Sequence, residues 1–508
     1  RPAMAELKEP AAGAPGHARS LTLPGLVAVI FYSVSGGPFG SEAVVSAAGP
    51  LLAVLGFLLM PLVWSVPEAL ITAELATAFP GNAGYVAWVT AAFGPSWGFL
   101  EGYLSWLSSA TDGAIYPVLL CDYLQHVWPA AAGGAARSAC VVAFSVALTL
   151  LNYAGISVAG WSAFALAVFT MLPFAFVVPA CLPQVRAANI LLLPPLRDVD
   201  WSSYLSVLFW NLNYWDTAST VAGEVQDPGR TFPKALFLTM LVVVATYVLP
   251  IAVGVGLPGP GGGADWRSWG NGSFALLGER AGGEAVKAWV VCSAAVSNAG
   301  QFLSDQTAGS YQLQGMAELG WLPRCFARRS RRGAPVAGLA LGLAVVLFLA
   351  TLDFLTIVDF VSQVYCLAQL LEFAAFVWLR HEHAELRRPF RLPLQSAAAC
   401  AALLLPAAVL AVLLLAMPLL SGDWVQAAFL AGVPASGALL HGLLATSRRR
   451  GWLAFARDPP SGLEELLGPP LLAAEEAESS SDEGPSRSSE AESLRSSCGS
   501  LRSAASSA

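Results

Sequence analysis

Apolar runs follow one another with little interruption from about Leu21 to Thr446, and their lengths match what a helix needs to cross a bilayer, about 20 residues. Twelve such intervals can be read: 21–45, 50–78, 85–121, 138–158, 160–182, 203–225, 235–257, 285–317, 336–352, 355–379, 397–417 and 424–446. The third and eighth are long enough to imply strong tilt or extension into a loop. The expected fold class is an all-α membrane protein. Residues 21–450 would form one twelve-helix domain, flanked by a cytoplasmic segment 1–20 and a tail 451–508.

Composition strengthens this reading. Hydrophobic residues make up 56% of the 508 positions and charged residues only 12%, about half the share in soluble domains. Such a chain could not cover itself with polar groups in water. The net charge of −7 is less informative than where the charges lie. With the N-terminus inside, 18 Lys and Arg up to Arg457 fall on inner segments and six on outer loops, the bias expected of cytoplasmic loops. Both termini are therefore expected in the cytoplasm. The sole Asn-x-Ser/Thr sequon, at Asn271, falls in an expected outer loop and is a glycosylation candidate. Residues 1–20 carry Arg1, Lys8 and Arg19 but no cleavable apolar core. The Ser- and Glu-rich tail has too little apolar surface to fold and is expected to be disordered.

Two intervals are interrupted in the middle. The first carries Ser35, Gly36, Gly37, Pro38, Phe39 and Gly40, a run that cannot sustain an α-helix. The sixth carries Trp210, Asn211, Leu212, Asn213, Tyr214, Trp215 and Asp216, placing three polar side chains among apolar ones. Unwound backbone is tolerated at membrane depth only where protein or a water-filled cavity satisfies it. Interruptions at corresponding places in two halves mark a transporter binding site.

Acids within the intervals include Glu42, Glu68, Glu74, Glu101, Asp112, Asp216, Asp305, Asp359 and Glu372, and bases there are nearly absent. An ionisable group at the bilayer centre costs at least about 2.5 kcal/mol and should face a cavity or partner. Either some of these acids hold protons, or the missing cation is the substrate. Trp210, Tyr214 and Trp215 lie beside Asp216, and aromatic faces attract organic cations. The expected substrate site comprises Gly36, Gly37, Gly40, Glu42, Asp112, Trp210, Asn211, Asn213, Tyr214, Trp215 and Asp216. Asp216, Glu68, Glu74 and Asp305 are candidates for proton coupling, and Asp216 leads them.

No nucleophile–His pair, metal cluster, P-loop or basic nucleic-acid patch appears, so neither enzyme chemistry nor a cofactor is expected. The expected partners are a small organic cation, protons and the lipid bilayer. Eight scattered cysteines read as small buried hydrophobes. Cys121 and Cys140, which flank one expected outer loop, are the pair a disulfide would join.

The stretch Phe31-Tyr-Ser-Val-Ser-Gly-Gly-Pro-Phe-Gly40 resembles the first span of plant polyamine uptake transporters of the amino acid–polyamine–organocation superfamily. Similar stretches are Trp64-Ser-Val-Pro-Glu-Ala-Leu-Ile-Thr-Ala-Glu74, Phe209-Trp-Asn-Leu-Asn-Tyr-Trp-Asp216, Ala222-Gly-Glu-Val225 and Pro228-Gly-Arg-Thr-Phe-Pro-Lys234. The resemblance implies the LeuT-type fold, with spans 1–5 and 6–10 as inverted repeats and two helices appended. It implies uptake of putrescine, spermidine and spermine with protons. The plasma membrane is the expected location, with an internal membrane as the alternative. Trp210 matches the aromatic gate of bacterial relatives, and Asp216 an acid tied to substrate or proton. The sequence departs from the pattern at Glu101, where a glutamine is expected, and at Gly309, where an acid is expected. A cationic or neutral amino-acid permease and a membrane ligand sensor are the alternative readings.

Overall fold

A computed structural model describes residues 21–79, 83–155, 161–259 and 262–458. The expectations for residues 1–20 and for the tail from 459 onward lie outside the described residues. Among the described residues there is no β-strand, and the elements are helices.

In chain order the helices are α1 (Leu23–Val34), α2 (Ala43–Val63), α3 (Ser65–Ala78), α4 (Gly84–Phe93), α5 (Pro95–Leu124), α6 (Gly134–Tyr153), α7 (Trp161–Cys181), α8 (Ala187–Ile190), α9 (Trp201–Asn211), α10 (Pro228–Gly256), α11 (Ser273–Glu318), α12 (Val336–Leu349), α13 (Phe354–Glu382), α14 (Ala397–Ser421) and α15 (Trp424–Arg449). Several helix starts are capped by acids or hydroxyls that accept an orphan backbone N–H. Asp200 caps α9, Asp353 caps α13, Ser396 caps α14 and Asp423 caps α15.

Each of the twelve apolar intervals contains helix. Among the described residues, seven continuous stretches are long and apolar enough to cross a membrane, and α1, α4 and α12 are shorter apolar helices. The long helices α5 and α11 are not in that set. They carry Glu101, Asp112 and Asp305, and the polar groups that build the site dilute their hydropathy.

The two long intervals have separate explanations. The third is two helices, α4 and α5, divided at Gly94, whose φ of 87° ends the first. The eighth lies within the 46-residue α11, which is bent at Gly282 and Gly283. The interval 50–78 also bends, at Trp64.

Helix α5 runs through the centre, packed against α4, α11, α12 and α13. Small residues permit close crossings. A side chain at Gly338 of α12 would press into the Ser310 backbone of α11, and one at Gly300 would strike the Tyr32 ring. Residues 451–458, which the sequence reading placed in the tail, lie against the segment after α11, where Arg324 donates its N–H to the Ala454 carbonyl at 2.7 Å. Cys121 and Cys140 are free thiols, so the structure does not form that disulfide.

Candidate functional site

Both interruptions are present. Helix α1 stops at Val34 and helix resumes at Ala43, with Gly36, Gly37 and Gly40 at φ of 59°, 141° and 87°. These values fall where only glycine is unstrained. Helix α9 stops at Asn211, and a 3-10 segment begins at Trp215, joined through Tyr214 in the left-handed region at φ 68°. The sequence did not foretell that the second half of this span is 3-10 rather than α.

The freed carbonyls of the first break are satisfied from α11. Ser297 donates its hydroxyl to the Gly36 carbonyl at 2.8 Å, and Gln301 donates its amide to the Ser35 carbonyl at 3.3 Å. A side chain at Gly36 would overlap Gln301, and one at Gly40 would overlap the Trp210 ring. The glycines thus let the broken strand lie flat against its neighbours, and this packing links the two breaks.

The acids that the sequence grouped into one site occupy distinct levels along α5. Glu101, Asp112 and Tyr123 lie eleven residues apart on that helix, about 16 Å per step at 1.5 Å rise.

At the Tyr123 level, Glu42 is fully buried and fully engaged. It accepts from the Gly40 N–H at 2.8 Å, from the Gly272 N–H at 3.2 Å and from the Tyr123 hydroxyl. It fastens the end of the first break to the 270–272 turn and does not line the cavity between the breaks. Asn271 in that turn is half-buried and donates its Nδ2 to Asp122 at 2.9 Å, while Asp122 also pairs with Arg137 at 2.7 Å. The folded protein therefore engages the very atom that glycosylation would modify.

At the Asp112 level, a narrow cavity lies between the breaks, with Ser35, Asp112, Tyr116, Trp210, Asn211, Tyr214, Tyr247 and Gln301 among its walls. Asp112 accepts from Trp210 Nε1 at 2.6 Å and from the Tyr116 hydroxyl. That hydroxyl also lies 2.9 Å from Asp305 Oδ2. A hydroxyl has one hydrogen to donate. Two carboxylates on one tyrosine oxygen therefore need a second proton, held by Asp112 or Asp305.

Tyr214 floors this cavity. Its ring packs on Tyr365 with centroids 4.5 Å apart, and its hydroxyl meets Ser108 at 2.9 Å. Beyond it, the Tyr365 hydroxyl accepts from the Tyr214 N–H at 3.0 Å and contacts Glu68 Oε1 at 2.7 Å and Asp216 Oδ1 at 2.5 Å. The same count applies, and one further proton is needed. Glu68 Oε1 also accepts the N–H of Trp215 at 2.6 Å and of Asp216 at 3.2 Å, so Glu68 holds the start of the 3-10 segment. Glu372 meets Asp216 carboxyl to carboxyl, and Glu101 lies nearby, bonded to Ser105 at 2.7 Å.

Glu74 differs from the other acids. It is buried with Arg380 at 2.6 Å and Arg388 at 3.1 Å, and accepts the Leu392 N–H at 2.8 Å. The expectation that acids in the spans lack an internal cation fails here, because the end of α13 and the following loop fold back over α3. Trp215 is fully buried with its Nε1–H donated to the Leu212 carbonyl, and Asn213 is buried too. Neither lines the cavity. Of the expected substrate residues, Asp112, Trp210, Asn211 and Tyr214 do. Gly36 and Gly40 shape its wall through Gln301 and Trp210, while Gly37 approaches Phe39 and Met171 instead.

The sequence reading missed Tyr116, Tyr247, Gln301 and Tyr365. Tyr116 was within reach, one helical turn after Asp112. Tyr365 carried no local sign, because its partners come from α3 and the sixth span.

Comparison with known proteins agrees with this architecture. The amino acid permease family profile matches residues 21–434. The chain is 45% identical over 457 residues to polyamine transporter PUT1 of Oryza sativa subsp. japonica, covering 90% of this chain and 84% of that protein. It is 42% identical over 442 residues to polyamine transporter RMV1 of Arabidopsis thaliana, covering 86% and 88%. An uncharacterized transporter of Legionella pneumophila is 26% identical over 384 residues, covering 68% and 79%.

Proposed function

The chain belongs to the amino acid permease family, and we propose that it imports polyamines such as putrescine, spermidine and spermine together with protons. The observation that carries this reading is the cavity between the breaks, where Asp112, joined through Tyr116 to Asp305 behind it, faces aromatic walls and no Lys or Arg lines the space. The relatives named polyamine transporters support the same substrate class.

In this reading the ammonium groups bind at Asp112 and Asp305, displacing the proton the pair holds. The methylene chain packs on Trp210 and Tyr214. Their faces favour cations by about 0.5–2 kcal/mol each when desolvated. Binding changes the hydrogen bonds of Tyr214, and the Tyr214 N–H leads to Tyr365. Asp216 and Glu68 then take up or release a proton as the 3-10 segment moves. Of the four coupling candidates, Asp216 remains first. Asp305 moves to the substrate role, and Glu74 holds a loop. Twelve spans, the LeuT-type inverted repeat, cytoplasmic termini and residence in the plasma membrane complete the proposal. Alternating access would follow from one helix group rocking against the other.

The test is uptake of radiolabelled spermidine and putrescine in yeast lacking its own polyamine uptake, at several external pH values and with a protonophore. Saturable uptake that rises as external pH falls and collapses with the protonophore is expected. Competition by arginine but not by spermidine would replace this reading with amino-acid transport.

A further inference from the structure

The C-terminal ends of α6, α11 and α15 meet through a short return of the chain. After α15, the backbone folds onto the segment that follows α11. Arg324 donates its N–H to the Ala454 carbonyl at 2.7 Å, and Arg448 donates to the Gly320 carbonyl. A side chain at Gly320 would overlap the Arg457 carbonyl. The end of α6 joins them, because the Arg332 guanidinium lies 6.0 Å from the Tyr153 ring centre.

This contact gathers nine arginines. Arg324, Arg328, Arg329, Arg331 and Arg332 follow α11, while Arg448, Arg449, Arg450 and Arg457 end α15 and continue past it. All but Arg448 are exposed. The segments 318–332 and 448–458 hold two acids, Glu318 and Asp458, and no lysine. Among the described residues none of the nine is in an ion pair. Other bases on the same expected side have partners: Arg380 and Arg388 pair with Glu74, and Arg230 lies 3.9 Å from Asp227. A positive bias of cytoplasmic loops explains the number of arginines but not their assembly. Like charges repel as they approach. Drawing Arg449, Arg450 and Arg457 toward the α11 segment is therefore unfavourable unless an anion occupies the face.

Aromatic side chains interleave with the charges. Arg448 lies over Phe455 at 4.3 Å, Arg450 over Trp452 at 5.0 Å and Arg329 over Tyr311 at 5.5 Å. Trp452 and Leu453 are exposed beside them. Tryptophan favours the headgroup level of a bilayer, and guanidinium groups bind phosphate oxygens in pairs.

We propose that this face binds the headgroup of a polyanionic phospholipid, such as a phosphoinositide, in the cytoplasmic leaflet. Arginines of both segments share its phosphates, and Trp452 and Leu453 meet its acyl chains. The lipid thereby clamps the end of α11 to α15. Upstream on α11, Ser297 and Gln301 hold the first break. The assignment does not depend on the polyamine reading.

The experiment uses the full chain purified in detergent and a fluorescent dioctanoyl phosphatidylinositol bisphosphate, read by anisotropy. Saturable binding that weakens as salt rises is expected, with no competition from dioctanoyl phosphatidylcholine. One variant combines Arg328→Gln, Arg331→Gln and Arg332→Gln. A second combines Arg449→Gln, Arg450→Gln and Arg457→Gln. Each should raise Kd about 100-fold, at about fivefold per arginine, with an unchanged melting temperature. Arg230→Gln with Lys234→Gln, which removes charge elsewhere on the same side, should stay within about twofold. Weakening by only one triple variant would overturn the joined face. Equal weakening by the Arg230 and Lys234 control would reduce the binding to net charge and overturn the site. Free inositol trisphosphate should compete at least about tenfold less well than the lipid, because it lacks the acyl chains. Equal competition would overturn the lipid assignment in favour of a soluble phosphate.

Discussion

Two carboxyl pairs in this protein are built alike, each bridged by a single tyrosine hydroxyl, yet their surroundings differ. Asp112 borders the narrow cavity between the breaks and Asp305 a small space between α5, α11 and α12, and Asp112 also accepts the aromatic N–H of Trp210. Glu68 and Asp216 border backbone. Glu68 receives the N–H groups of Trp215 and Asp216, and the bridging Tyr365 receives that of Tyr214. In the proposed reading the first pair exchanges its proton for a cationic ligand. The second is tied to the hinge of the sixth span, so a change in its protonation changes how that hinge is held. The proposed reading therefore assigns similar chemistry to a cargo site in one place and a conformational site in the other, because one pair faces a cavity and the other a helix break.

That contrast breaks most readily at Asp112. In Asp112→Asn, kcat/KM for putrescine and spermidine should fall about 100-fold at equal surface expression, since truncating one side of a buried charge contact costs about 2–5 kcal/mol. Radiolabel uptake measures it, and near-normal KM would exclude Asp112 from the cargo site.

Asp216→Asn should act differently. Net uptake should fall about 30-fold, about 2 kcal/mol, while exchange of internal for external polyamine persists and ceases to depend on external pH. The sign follows from the proposal that the proton is a co-substrate. Uptake by the unsubstituted protein should then rise as external pH falls, and the variant's should be flat. Normal, pH-dependent uptake by Asp216→Asn would sink the coupling assignment.

The two tyrosines sharpen the comparison. Each loses one charge-assisted hydrogen bond, about 1.5–3 kcal/mol, so effects of about tenfold are expected. Tyr116→Phe should raise KM with kcat little changed. Tyr365→Phe should lower the maximal rate with KM little changed. The same split in both variants would mean the pairs do not have separate roles.

The smallest effect on transport is expected at Glu74. Glu74→Gln should leave KM within about twofold while lowering the melting temperature in detergent. Breaking a buried ion pair costs about 3–5 kcal/mol, and Arg380 and Arg388 lose their counter-charge. A change in pH dependence without loss of stability would return Glu74 to the coupling machinery.

Much of the fold could be read from the chain. Apolar run length located the helical intervals, because a bilayer sets how long a crossing segment must be. Glycine and proline at 36–40 and the polar residues at 211–216 marked both breaks, because those residues cannot be absorbed by a helix in lipid. The acid excess also pointed to a cationic ligand. Sorting the acids was beyond sequence. Glu42, Asp112 and Asp216 looked equivalent as unpaired carboxylates near breaks. The backbone N–H groups of Gly40 and Gly272, the cavity beside Trp210 and the hinge at Tyr214 set them apart, and all of these depend on how separate spans meet.

The sequence by itself therefore determined the solvent, the class of fold, the positions of the breaks and the sign of the missing charge. Each of these follows from local composition and from the cost of placing polar groups in hydrocarbon. Only the tertiary structure decided which acid faces which space. It paired Glu74 with arginines from the end of α13, brought Asp305 of α11 onto the tyrosine that serves Asp112 of α5, and set Tyr365 between Glu68 and Asp216. Those contacts join residues more than a hundred positions apart, and their geometry comes from helix packing, which no local pattern encodes.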